Sequence, residues 1–324
     1  LMFLSLIVSF LVFSLPFLLA IILANPLQEP GQRVRPVESA TGIVSSQESL
    51  ASGVGASILA AGGNAIDAAV ATAYALAVTL PQAGNLGGGG FLVFWNQPER
   101  RAYALNFREM APRRAHQDLF LNTDGSVNRK LATRSLLSTG VPGTVAGLIT
   151  AQERFGALSR SQVMAPAIRL AEQGFPVYPV LADSLKRAAP LLQADPSSKA
   201  IYYKSDGEPF AAGEILRQPL LAATLRRIAQ QGRAGFYQGP LAQQLETLMR
   251  HGGGLIDRQD LAAYTAPWVE PVQGNFRGLK VLSMPPPSSG GVTLIQMLNL
   301  LEPFDLAGMG LNSAESIHTL VEAM

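Results

Sequence analysis

The sequence contains no cysteine and only three histidines, which limits the catalytic and metal chemistry open to it. The absence of cysteine excludes disulfides, thiolate metal sites and a cysteine nucleophile, but it leaves the cellular compartment open. The histidines, His116, His251 and His318, stand far apart, and no pair has the helical spacing of metal ligands. Surface or packing roles are therefore the default for them, and no cofactor is predicted.

Other common signatures of function are also missing. No Gly-x-Ser-x-Gly element occurs, which argues against an α/β-hydrolase triad. The glycine run at residues 87–90 lacks the lysine of a phosphate loop and the spacing of a dinucleotide fingerprint, so alone it indicates a tight chain reversal. The 25 Lys and Arg against 23 Asp and Glu include no block of five like charges, so nucleic acid is not an expected partner.

The N-terminal segment predicts export. Residues 1–24 carry no charge, and a run of about 20 apolar residues is able to cross a bilayer. It also fits a secretory signal, with small residues at Ala20 or Ala24 for cleavage. We expect a cleaved signal, with an uncleaved membrane anchor second and a buried core helix last. The Pro- and Gly-rich residues 25–39 are then a linker to a folded region at 40–324, which lies in the periplasm or outside the cell.

Capping signals and periodicity in the folded region predict a layered α/β fold. Ser45 with Glu48, and Asn64 with Asp67, match the capping boxes of two consecutive helices. The second of these helices is apolar nearly all round, which is typical of a helix buried on both sides in a layered domain. Asn312 caps the last helix. Helices are predicted over residues 46–61, 65–80, 144–155, 161–173, 179–192, 219–231, 240–251, 292–301 and 313–324.

Two hairpins are predicted between these helices. Strands at 91–95 and 102–108 form the first, and the strands of the second lie within 272–284 and turn at Arg277 and Gly278.

Arg108 is the candidate ligand-binding residue at the end of the first hairpin. An arginine at a strand end is most often simply solvated. The functional alternative is a guanidinium fork on a rigid strand, which grips a carboxylate by two parallel hydrogen bonds. Arg113 and Arg114 are competitors on the loop that follows.

Ser288 and Ser289 form a second candidate element, between three prolines and two glycines that open the next helix. Backbone N–H groups and the two hydroxyls there would line an anion-binding concavity. The alternative is a rigid strand-to-helix turn capped by Ser289.

Taken together and in order, several motifs resemble the γ-glutamyltranspeptidase family, and the resemblance covers nearly all of 40–324. They are ATGIV at 40–44, GGNAIDAAVA at 62–71, GNLGGGGF at 84–91, FREMAP at 107–112, GVPG at 140–143, GFY at 235–237 and PPPSSGG at 285–291.

The resemblance implies an N-terminal-nucleophile hydrolase, an αββα sandwich made as a precursor that cleaves itself into a large and a small subunit. The new N-terminal threonine of the small subunit is then the nucleophile, with its own α-amine as general base. The implied reaction transfers a γ-glutamyl group, for instance from glutathione, to water, an amino acid or a peptide. Arg108 stands where the family's arginine binds the α-carboxylate of the glutamyl group.

The sequence departs from the family pattern in one respect, because no Thr-Thr-His segment occurs in it. We therefore expect an incomplete large subunit without a catalytic residue of its own, inactive alone and dependent on the small subunit as partner. Two alternatives stay open. One is a cephalosporin or glutaryl acylase of the same superfamily, and the other is a non-catalytic, membrane-anchored protein that binds anionic small molecules.

Overall fold

The computed structural model of the protein describes residues 37–324. The predicted signal or anchor at 1–24, and all of the predicted linker except residues 37–39, lie outside the described residues. Val44–Met324 forms one compact unit. Within residues 37–324, none of the helices has the length and apolar character needed to cross a membrane.

The described chain combines helices with small antiparallel sheets. The helices are α1 (Ser49–Ala60), α2 (Ala65–Thr79), α3 (Arg129–Arg134), α4 (Thr144–Phe155), α5 (Arg160–Gln173), α6 (Pro179–Leu192), α7 (Pro196–Tyr202), α8 (Pro219–Gln231), α9 (Ala234–Tyr237), α10 (Gly239–His251), α11 (Arg258–Ala263), α12 (Ser289–Leu301), α13 (Leu306–Met309) and α14 (Ala314–Ala323). The strands are β1 (Phe91–Asn96), β2 (Arg101–Asn106), β3 (Phe175–Pro176), β4 (Ile215–Leu216), β5 (Trp268–Val269), β6 (Val272–Phe276) and β7 (Leu279–Ser283).

The start of α1 differs from its prediction. The N-cap is Glu48 rather than Ser45, and its carboxylate accepts hydrogen bonds from the backbone N–H groups of Leu50 and Ala51 at 2.8 and 2.9 Å. A glutamate side chain is long enough to reach these two donors, so it replaces the expected serine cap and moves the start of the helix to Ser49.

The start of α2 confirms the predicted capping box and adds a long-range role for it. Asn64 caps the helix, and the Asp67 carboxylate accepts from the Asn64 N–H at 3.0 Å. The same carboxylate oxygen accepts from the N–H groups of Ala157 and Leu158, at 2.8 and 3.2 Å. Asp67 is fully buried. It therefore ties the start of α2 to the connection between α4 and α5.

The main sheet has the strand order β1-β2-β5 and is antiparallel throughout. Helix α4 packs on β2, and α2 packs against α1, α4 and α5, so layers of helix cover the sheet. Phe155, at the end of α4, lies among three aromatic residues of the sheet, with ring centroids 4.8 Å from Phe94, 4.9 Å from Tyr103 and 5.3 Å from Trp268. The predicted layered α/β arrangement is confirmed.

Several predicted boundaries are confirmed and others are wrong. The second hairpin turns at Arg277 and Gly278, whose positive φ angles of 48° and 78° suit a tight two-residue turn. In contrast, β2 ends at Asn106, so Arg108 does not close the strand as expected. Helix α14 is capped by the Ser313 hydroxyl and not by Asn312.

Candidate substrate-binding site

Arg108 lies two residues beyond β2 on a backbone that is held in place. The residue before it, Phe107, exchanges both backbone hydrogen bonds with Gly90, at 3.1 and 3.2 Å, which extends the pairing of β1 and β2. The Arg108 N–H donates to the Asn106 side-chain oxygen at 3.1 Å, and its carbonyl accepts from the Tyr264 hydroxyl at 2.8 Å. The main chain at Arg108 is thus fixed on both sides.

The Arg108 side chain, in contrast, is exposed. Among residues 37–324, no side chain or carbonyl hydrogen-bonds to its guanidinium or forms an ion pair with it. A planar guanidinium presents several donors in a fixed fork, which fits the two oxygens of a carboxylate. The Arg108 fork is available for such a ligand.

Arg113 and Arg114, the two other candidate arginines, both bind groups within the fold. The Arg113 side chain forms ion pairs with Asp260 and Asp257, both at 3.0 Å, and its N–H also donates to Asp260. Burial alone would raise the pKa of Asp257, but the Asp260 N–H and the Arg113 guanidinium outweigh it and lower that pKa. Arg114 donates to the Leu255 carbonyl at 2.9 Å. Neither guanidinium is as free as that of Arg108.

Glycines allow three segments to meet around Phe107. A Cβ atom on Gly143 would lie 2.0 Å from the Phe107 carbonyl oxygen, and one on Gly89 would lie 2.5 Å from the same atom. A Cβ on Gly147 would lie 2.2 Å from the Phe107 ring. None of the three has a positive φ angle, so close approach rather than an unusual backbone angle requires glycine here.

The glycine run at residues 87–90 was expected to form only a tight chain reversal, but it also binds the start of α4. The carbonyl of Gly88 accepts from the N–H groups of Gly143 and Thr144, at 2.7 and 3.0 Å. The Asn85 side-chain oxygen accepts from the Gly88 N–H and the Thr144 hydroxyl, both at 2.8 Å. The run therefore anchors the start of α4 beside the Arg108 segment. No contact within residues 37–324 explains why residue 87 is a glycine.

The Ser288 and Ser289 element is a turn at the start of α12. The helix begins at Ser289, so Ser289 is not its cap, and the N-cap Ser288 makes no side-chain capping bond. Both glycines of the motif lie in the first helical turn. No hydrogen bond within the described residues joins this element to the Arg108 segment.

The three histidines are exposed, as expected.

Two tyrosines that support the site were missed from the sequence. Tyr264 and Tyr237 are buried and stack on each other, with ring centroids 5.9 Å apart. Tyr264 holds the Arg108 carbonyl, and the Tyr237 hydroxyl donates to the Pro142 carbonyl at 2.8 Å. The motif at 235–237 marks the position of Tyr237, but no local signal in the sequence singles out Tyr264.

A sequence profile of the gamma-glutamyltranspeptidase family matches residues 51–324. The chain belongs to this family. It is 46% identical over 289 residues to the glutathione hydrolase proenzyme of Escherichia coli (strain K12), an alignment that covers 89% of this chain and 50% of that protein. The acylase ACY 1 proenzyme of Pseudomonas sp. (strain V22) is 38% identical over 296 residues, covering 90% of this chain and 53% of its own length. The chain thus spans about half the length of the curated relatives it matches.

The fold agrees with that of the family. The crystal structure of Helicobacter pylori gamma-glutamyltranspeptidase matches with a TM-score of 0.87 and 43% identity, covering 89% of this chain and 82% of that chain. The predicted N-terminal-nucleophile hydrolase architecture is confirmed. Residues 37–324 contain one three-stranded sheet and two two-stranded ribbons.

We expect the Gly143→Ala variant of the full gene product to unfold more easily than the parent. The added methyl group would meet the Phe107 carbonyl oxygen and the Tyr264 hydroxyl, 2.0 and 2.2 Å away. Overpacking of this kind lowers the free energy of unfolding by about 1–3 kcal/mol, measurable by urea denaturation. Gly53→Ala is the control, because a Cβ there meets nothing within 4 Å in an exposed helical position, and it should stabilise by about 0.5–1 kcal/mol. Equal effects of the two substitutions would contradict the close packing described here.

Proposed function

We propose that the full gene product transfers γ-glutamyl groups from glutathione or a related donor to water, an amino acid or a peptide. In the reaction that the family resemblance implies, a threonine hydroxyl attacks the γ-carbonyl carbon of the donor. The carbon–nitrogen bond breaks, the amine leaves with a proton, and an ester to the enzyme remains. Water or the amine of the acceptor then attacks this ester and releases the threonine. The names of the E. coli and H. pylori relatives support this choice of reaction.

The threonine is proposed to lie on a small subunit from the same precursor, which is the partner of this chain. Three observations support this: no Thr-Thr-His segment occurs in residues 1–324, the E. coli relative is a proenzyme, and the chain covers 50% of that relative but 82% of the solved H. pylori chain.

The surface also fits a partner that completes the sandwich. Within residues 37–324, β1 pairs only with β2, so one edge of the sheet stays open, and Val93 and Trp95 on β1 are exposed. Further apolar side chains are exposed on α12 and α14, namely Val292, Leu294, Leu300, Ile317, Leu320 and Val321. These two helices contact each other, so their exposed apolar side chains fit an interface.

Arg108 is proposed to bind the α-carboxylate of the γ-glutamyl donor. The observation that carries this role is the guanidinium of Arg108, which is exposed and unpaired among residues 37–324 and lies on a fixed backbone at the arginine position of the family motif. The engagement of Arg113 and Arg114 within the fold supports the choice among the three arginines.

The full gene product is proposed to be exported, with residues 1–24 as signal or anchor and residues 25–39 as the linker to the enzyme region 40–324. The charge-free composition of the first of these segments supports the proposal.

Arg108→Lys in the full gene product should raise the KM for a γ-glutamyl donor by about tenfold or more, with a smaller change in kcat. Lysine offers a point charge in place of two parallel hydrogen bonds, and about 1.4 kcal/mol corresponds to a factor of ten. Initial rates with a γ-glutamyl p-nitroanilide give both constants. Arg114→Lys is the matched control and should leave the donor KM unchanged. An unchanged KM for Arg108→Lys would show that another group holds the carboxylate.

Residues 1–324 alone should release no p-nitroaniline from γ-glutamyl p-nitroanilide, because they lack the nucleophile. The full gene product, assayed at the same concentration, serves as positive control. A rate that grows with the concentration of the shorter chain, and that falls when Arg108 is replaced by lysine, would refute this prediction.

A cephalosporin or glutaryl acylase of the same superfamily is the second candidate, supported by the 38% identity to the acylase ACY 1 proenzyme. Glutaryl and γ-glutamyl p-nitroanilides both carry the carboxylate and differ only in the α-ammonium group, so the pair isolates recognition of that group. We expect the full gene product to show a kcat/KM at least about tenfold higher for the γ-glutamyl compound, since a site built for a polar group rejects the analogue that lacks it. Faster turnover of the glutaryl compound would assign the protein to the acylases.

A further inference from the structure

Tyr264 contacts the main chain of Arg108, although the two are far apart in sequence. Its hydroxyl donates to the Arg108 carbonyl at 2.8 Å, and the side chain is almost fully buried. The same hydroxyl packs against Gly143, where a Cβ atom would lie 2.2 Å away. The phenol thus occupies the space between the start of α4 and the main chain of Arg108.

Tyr264 is itself held rigidly. Its ring stacks on Tyr237 with an angle of 7° between the ring planes. The Tyr237 hydroxyl donates to the Pro142 carbonyl at 2.8 Å and accepts from the Ala146 N–H at 3.2 Å. The Arg233 guanidinium donates to the Tyr264 carbonyl and lies 4.8 Å from the centre of the Tyr237 ring. Displacing the Tyr264 hydroxyl would therefore require movement of this whole stack.

The Tyr264 hydroxyl stays protonated at neutral pH. Burial first, and then the nearby Glu109 carboxylate, raise the pKa of Tyr264 to about 12, while Arg233 acts in the opposite direction. A tyrosine that keeps its proton remains a hydrogen-bond donor to the Arg108 carbonyl.

We propose that Tyr264 is a positioning residue for the donor: its hydroxyl fixes the main chain of Arg108 and so the location of the guanidinium that binds the α-carboxylate. This inference rests on the proposed role of Arg108. No side chain among residues 37–324 orients the guanidinium itself, so its location depends on the backbone, which Asn106 and Tyr264 hold at the N–H and the carbonyl. Two parallel hydrogen bonds to a carboxylate tolerate little displacement, which makes that backbone contact important for binding.

The test is Tyr264→Phe in the full gene product, which removes the hydroxyl and keeps the stacked ring. We expect the KM for a γ-glutamyl p-nitroanilide to rise about fivefold, the factor that corresponds to one ordinary hydrogen bond, with kcat within about twofold of the parent. KM does not depend on the fraction of mature enzyme, so a change in precursor processing would not imitate this result.

Tyr203→Phe is the matched control. Tyr203 is also buried, and its hydroxyl donates to a backbone carbonyl, that of Leu185, at 2.7 Å. This substitution should cost comparable stability without changing the donor KM. An equal rise in KM for both variants would mean a general loss of stability and would overturn the inference.

The double variant with Arg108→Lys separates this inference from the proposed function. If Tyr264 acts through Arg108, Tyr264→Phe should change the KM by less than about twofold once Arg108 is lysine. A full fivefold effect in that background, or no effect of Tyr264→Phe where Arg108→Lys raises the KM, would overturn the positioning role alone. No effect of Arg108→Lys would overturn the proposed role of Arg108 and this inference with it.

Arg233→Lys provides a second route if Tyr264→Phe yields no soluble enzyme. It retains the charge but loses the guanidinium that holds the Tyr264 carbonyl and covers the Tyr237 ring. The donor KM should rise in the same direction, and an unchanged KM would again count against the inference.

Discussion

The close approach of the main chain at residue 143 to the Phe107 carbonyl oxygen, where a Cβ atom would lie 2.0 Å away, is the constraint on which the surroundings of Arg108 depend. Without a side chain at 143, the main chain there approaches closely enough for the Gly143 N–H to reach the Gly88 carbonyl at 2.7 Å. Helix α4 begins at the next residue, so its first turn is fixed against the glycine run and the Phe107 segment at once. The surroundings of Arg108 are thus built largely from backbone groups and small residues, and its guanidinium has no hydrogen-bond partner among residues 37–324.

The loop after β2 carries three arginines, and two carboxylates at the start of α11 bind one of them. Asp257 and Asp260 cap α11 and also hold Arg113, so one carboxylate pair stabilises both a helix start and the loop. A buried carboxylate such as Asp260 requires a partner of this kind. Arg113 is engaged there, which supports the proposed role of Arg108, rather than Arg113, in binding an anionic ligand.

Local signals allowed much of the fold to be predicted. The bounds of α4, α6 and α8 match their predictions, because a proline at the first position of α6 and α8, and a glycine just after α4 and α8, mark these ends unambiguously. The start of α1 was predicted wrongly because several polar residues precede it, and only the folded chain shows that Glu48 reaches the free N–H groups. The two-residue strand β5 has no periodicity of its own and exists only through its pairing with β2.

The candidate site was also predictable only where local sequence signals mark it. Arg108 stands in a motif whose residues are neighbours in sequence, so the sequence draws attention to it. Its support comes from Tyr264, which is 156 residues away and carries no distinguishing local pattern. The mutual arrangement of distant segments follows from packing, here from glycines that admit close approach, and no window of sequence contains both partners.

The chemistry expected at Arg108 explains why such support matters. The α-carboxylate of a γ-glutamyl group keeps its charge throughout acyl transfer, because the bonds that change lie at the γ-carbonyl. An ion pair with that carboxylate is therefore equally strong in the bound substrate and in the transition state, and it contributes to binding rather than to the chemical step. The strength of that ion pair depends on geometry, since two parallel hydrogen bonds form only where the guanidinium meets the carboxylate in the right place. A rigid main chain at Arg108 holds the guanidinium in that place better than a flexible one would. The stacked tyrosines and the close-packed glycines make this main chain rigid.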